Sequence, residues 1–171
     1  MRLILVQLFR FLFFVLAQSL IFNQLEIGYG IHPMIYPLFI VLLPFEINAI
    51  LLLLIACIMG LCIDALSNTY GLHSSSLLVL AYLRPFIFKI FAPREGYDSN
   101  KEGSISEMGQ KWFVYVFGIL LLIHHFWFFM FEMFKWNEIF FILQKTILSL
   151  PISYLLCILL QVVFVSKPKE R

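Results

Sequence analysis

Charge is what this chain has least of. Asp, Glu, Lys and Arg make up 13% of its 171 residues, about half the share of a soluble domain, which excludes a water-solvated surface wrapped around one core. The net charge of +2 is too small for a nucleic-acid surface, and no nucleic acid is expected as a partner. Cysteine is scarce: Cys57, Cys62 and Cys157 lie inside apolar runs without C-x-x-C spacing, which argues against a disulfide framework or a zinc site. There is no P-loop, no dinucleotide glycine pattern, no H-E-x-x-H and no G-x-S-x-G elbow. Catalytic residues, a metal and a cofactor are therefore not expected.

What the chain has in excess is apolar length. Hydrophobic residues reach 62%, with 20 Phe and 7 Tyr. A bilayer core of about 30 Å needs about 20 apolar helical residues, and five runs meet that: Leu3 to Phe22, Phe45 to Asp64, Leu72 to Phe91, Trp112 to Phe131 and Ile139 to Val165. The first loosely imitates a signal peptide, but Arg10 interrupts its apolar core, so it counts as a crossing. A sixth run, Met34 to Leu43, is short and bounded by Pro33 and Pro44. If it crosses, Arg2, Arg10, Arg84, Lys89, Arg94, Lys101, Lys111, Lys167, Lys169 and Arg171 share one side, leaving Lys135 and Lys145 near the other. That sorting matches the cytoplasmic excess of Lys and Arg. The expected fold is a single all-α membrane bundle of six transmembrane helices, one short and enclosed by neighbours, with both termini cytoplasmic. Residues 93–111, rich in Gly, Ser and charge, are expected as a flexible cytoplasmic loop.

The costly polar groups gather in one stretch. Ala49, Leu53, Ala56, Gly60 and Asp64 recur at helical spacing, a stripe of mostly small residues that lets helix backbones approach closely in lipid. Asp64 ends it, followed by Ser67, Asn68, Thr69, Gly71 and His73. Two readings stay open for Asp64: a proton or cation site, or a carboxylate holding the turn by accepting from the following backbone, Ser67 or His73. Ser74, Ser75 and Ser76 are expected to cap the next helix. His124 and His125 are adjacent, about 100° apart on a helix, a poor spacing for a shared metal. One is expected to hydrogen-bond to Gln7, Gln18, Gln161 or Asp64 while the other packs or lines a cavity.

The segment GLCIDALSNTYGLHSSSLLVLAYLRP, Gly60 to Pro85, resembles the signature region of the rod shape-determining MreD family. Gly60, Leu61 and Asp64, then Gly71, Leu72 and His73, match its pattern, and LRPFIFKIFAPREGYD and the IHH at Ile123 to His125 are similar to one branch of it. The resemblance implies a non-catalytic scaffold in the bacterial inner membrane that serves cell elongation and peptidoglycan synthesis. It further implies MreC as a partner, with links to the MreB filament and the peptidoglycan synthases among membrane lipids. The candidates for packing or partner contact are Ala56, Gly60, Asp64, Gly71, Leu72, His73, Arg84, His124 and His125. The alternative is a subunit of a transporter for a vitamin-like solute, with a pocket near Asp64, His73 and the loop Asn23 to His32.

Overall fold

The computed structural model describes residues 2–25, 27–98 and 101–164, and within them the regular secondary structure is all helical, with no strand. The long helices are α1 (Arg2–Leu20), α3 (Ala49–Ser67), α4 (Leu72–Ile90), α6 (Gln110–Met133) and α7 (Ile139–Phe164); α2 (Pro37–Leu42) and α5 (Ile105–Met108) are short. Lys167, Lys169 and Arg171, counted above on the basic side, lie outside the described residues, as do Ser99 and Asn100 of the hydrophilic segment. Four helices, α1, α3, α6 and α7, are long and apolar enough to cross a membrane. Helix α4 has the length but not the apolarity, because His73, three serines, Arg84 and Lys89 sit within it.

Helix α3 begins at Ala49 rather than Phe45. Asn48 accepts from the amides of Ile50 and Leu51 and so fixes the start, an ordinary N-cap, while Phe45 and Glu46 form a turn. The buried face of α3 is Leu52, Ala56, Met59, Gly60, Ile63 and Asp64; Ala49, at the foot of the expected stripe, is exposed.

The centre of the bundle is not a long helix. Residues 33–43 are buried at every position, an extended stretch running into α2. They pass from the end of the molecule that holds Asp64 to the end that holds Arg84. Among the long helices the membrane-length windows are a third to a half buried, so those helices show much of their apolar surface outward. Non-helical backbone in such a core needs hydrogen-bond partners from elsewhere, and side chains supply them. Ser149 accepts from His32 N at 3.0 Å, Ser153 from Met34 N at 2.9 Å and Gln18 from Ile35 N at 2.9 Å. Gln18 also donates to Pro33 O at 3.0 Å, and the Cys157 thiol points at the carbonyls of Met34 and Ile35.

Within the hydrophilic segment, Tyr97 and residues 102–104 fold back onto the bundle. Glu102 pairs with Arg10 at 2.8 Å, Gly103 and Ser104 are buried, and Tyr97 stacks on Phe45 with ring centroids 4.3 Å apart. Its polarity suggested a free loop because the anchors, one carboxylate and one tyrosine, are too few to alter a composition.

Candidate functional site

The polar groups meet at the Asp64 end. The turn between α3 and α4 is made tight by Asn68 and Gly71, both with left-handed backbone, φ 55° and 85°, and this folds the carboxylate back over the start of α4. Asp64 Oδ1 accepts from Thr69 Oγ1 at 2.7 Å, from His73 N at 3.0 Å and from His73 Nδ1 at 3.0 Å. Oδ2 accepts from Ser74 N at 3.0 Å and from Ser74 Oγ. The first-turn amides of α4 are therefore capped by an acid on the preceding helix, where negative charge also suits the helix dipole. Ser75 and Ser76, expected to cap, instead donate back to carbonyls of their own helix, Leu72 and His73. Gly71, in the N-cap position, has no side chain to offer, so the acid takes that role.

Gly60 is what allows this approach. A Cβ there would stand 2.3 Å from Ser74 Cα and 2.7 Å from Ser74 N, so α3 and α4 touch backbone to backbone, as small residues permit. Ala56 lies buried one turn earlier on the same face.

From Asp64 the hydrogen bonds continue across the bundle. With Nδ1–H given to the carboxylate, His73 Nε2 accepts from Asn23 Nδ2 at 3.4 Å. Asn23 also donates to Ser67 Oγ at 2.7 Å and accepts from Gln18 and His32 at 2.7 and 3.2 Å. Ser67, one of the donors offered above for Asp64, instead accepts from Asn23.

Both histidines of α6 are fully buried. His125 Nδ1–H donates to Leu121 O at 2.9 Å, which leaves Nε2 to accept from Ser153 Oγ at 2.9 Å. The partners expected for it, Gln7, Gln18, Gln161 and Asp64, are not the ones used: α6 packs chiefly on α4 and α7, so its histidines meet those neighbours. His124 packs its ring against Tyr36 at 5.0 Å, and neither of its nitrogens has a hydrogen-bond partner among the described residues.

Asn23, Ser149 and Ser153 are the residues that sequence reasoning missed, and Gln18, expected on a histidine of α6, serves Pro33 and Ile35 instead. For the two serines the signal is a stripe on α7: Thr146, Ser149, Ser153, Cys157 and Gln161 recur at spacings of three and four and all are buried. Lys145, beside that stripe, is buried too and donates to Glu132 Oε2.

The opposite end is built around Arg84, 2% exposed. Its Nη2 donates to the carbonyls of Leu43 and Pro44, holding the exit of the central segment, and its guanidinium lies 4.5 Å from the centroid of Phe88. Phe88 in turn packs into a cluster of rings with Phe45, Tyr97 and Trp112.

Of the residues singled out from the sequence, Gly60, Asp64, Gly71, Leu72 and His73 come together in one junction. His124 and His125 lie deeper, on α6, and Arg84 lies at the other end. Chemically the junction is closed: both Asp64 oxygens are taken by the protein's own donors, and His73 is held at both nitrogens. No group of three or more His, Cys, Asp or Glu side chains is placed to hold a metal among the described residues. No family model, curated protein or solved structure matches this chain.

Proposed function

We propose that this chain is a non-enzymatic scaffold subunit of the bacterial inner membrane, of the MreD kind, that works with MreC beside the MreB filament and the peptidoglycan synthases in cell elongation. The observation that carries this reading is the closed junction at Asp64, where a carboxylate, an imidazole and two hydroxyl-bearing residues spend their hydrogen bonds on joining α3 to α4. A reactive centre would leave a nucleophile, base or ligand-binding atom aimed at open space. The polar groups here fasten helices instead.

In this reading the bundle crosses six times, with residues 33–43 as the short crossing and both termini in the cytoplasm. Supporting it, Gln7 and Arg10 near one end of the chain and Gln161 near the other converge on residues 102–105, as an even number of passages requires. The basic residues Arg84, Lys89, Arg94 and Lys101 belong to the same end. Depleting the protein in a rod-forming host should round the cells, with complementation restoring rods; rods that persist without a second copy would refute the role. A screen with vitamin-like solutes should give no saturable thermal shift, and a saturable one would favour the transporter reading.

A further inference from the structure

Three cations are buried in this bundle: Arg10, Arg84 and Lys145. For two of them the chain provides an anion, Glu102 for Arg10 at 2.8 Å and Glu132 for Lys145. Arg84 has no carboxylate within ion-pairing distance among the described residues. Backbone carbonyls occupy its Nη2, and its buried Nε has no hydrogen-bond partner among the described residues. A cation taken out of water without a counter-charge is the expensive arrangement, and it persists here beside a groove of ≈ 290 Å³ that Arg84 lines.

The groove says which anion fits. Its walls are apolar and aromatic, with Leu52, Phe45, Phe88 and Tyr97, and the exposed Lys89 stands at its rim, so two cations face one greasy cleft. A guanidinium donates a charge-assisted hydrogen bond to a phosphate oxygen, and the Phe88 ring, 4.5 Å from its centre, holds its plane in place. A soluble phosphate would use the cations and waste the walls; a phosphate carrying fatty chains uses both. We propose that this groove binds the phosphate headgroup of an anionic membrane lipid, with Arg84 as its buried counter-charge, Lys89 as a second, outer cation, and the lipid's glycerol and upper acyl chain against Leu52 and Phe45. The proposal does not rest on the cell-shape role; it needs only that this end of the bundle meets a leaflet.

The test is thermal unfolding of the purified full chain in neutral detergent, titrated separately with phosphatidylglycerol, phosphatidylcholine and inorganic phosphate. Phosphatidylglycerol should raise the midpoint saturably, and the other two should not. Arg84→Gln should weaken the half-saturating concentration by about tenfold or more, and Lys89→Gln by a few-fold. Arg94→Gln, an exposed charge on the same end, should leave it unchanged. Should Arg84→Gln fail to fold, native mass spectrometry decides: the wild type should retain one phosphatidylglycerol, and Lys89→Gln should retain less. An unchanged response in Arg84→Gln, or no saturable response in the wild type, overturns the site. A response to inorganic phosphate alone overturns the lipid assignment.

Discussion

The two ends of this bundle treat their buried charge in opposite ways. Asp64 is an acid surrounded by donors from the chain itself: Thr69, His73 and Ser74 leave neither oxygen idle. Arg84 is a base that meets carbonyls and an aromatic ring but, among the described residues, no acid. The first end is saturated and behaves as a fastening; the second keeps an unused valence beside a groove. Burial alone therefore does not mark a functional group in a membrane bundle. What distinguishes the two is whether the protein has supplied the partner.

The strongest way to break the closed end is to wedge it. Gly60→Leu drives a side chain into the Ser74 backbone, where overpacking costs about 3 kcal/mol. The expected result is a large loss of folded protein in a detergent-unfolding assay, while Phe140→Leu on the outward surface, 84% exposed, changes little. Equal losses would mean that the α3–α4 approach is not special. Next in size is Ser153→Ala, which removes a partner from both Met34 N and His125. Leaving a buried donor unpaired costs about 1–3 kcal/mol, so amide exchange at Met34 should accelerate along with a lowered midpoint; unaltered exchange would show that α7 does not hold the central segment.

The smallest effect is one of pH. Burial, reinforced by the nearby His73 and Lys145, pushes the His32 imidazole down to about 4, below its ordinary value near 6.5. The folded chain thus binds fewer protons there than the unfolded one. Its contribution is intact above pH 6.5 and is lost as pH falls toward 4. The unfolding midpoint should decline over that window, and His32→Gln should flatten the decline; an equally steep fall in the variant would assign it to other groups.

Much of the closed end could be read from the sequence, because Ala56, Gly60 and Asp64 repeat at helical spacing and the turn residues follow at once. The same holds for the apolar helices, whose length is written in composition. The central segment was harder. Pro33, Pro37 and Pro44 announce a break, and Met34 to Leu43 was expected to be enclosed, yet nothing local says that Gln18, Ser149 and Ser153 satisfy its amides. Those pairings join residues more than a hundred positions apart in the case of α7, and each serine by itself looks like an ordinary small residue of a membrane helix. Docking of Tyr97 and of residues 102–104 was hidden for a related reason: the partners of Glu102 and Tyr97 are Arg10 and Phe45, each on a distant stretch.

The account turns on Asp64 being a fastening rather than a working site, and Asp64→Asn tests that most directly. The amide keeps the shape but offers one acceptor oxygen where two were used, and its NH₂ group faces the Ser74 donors. Folded abundance in the membrane and rod-shape complementation should be measured together. The account predicts that abundance falls and that complementation falls only in proportion to it. An Asp64→Asn protein that is stable, normally abundant and inactive would contradict it, because the charge itself would then be what the cell requires.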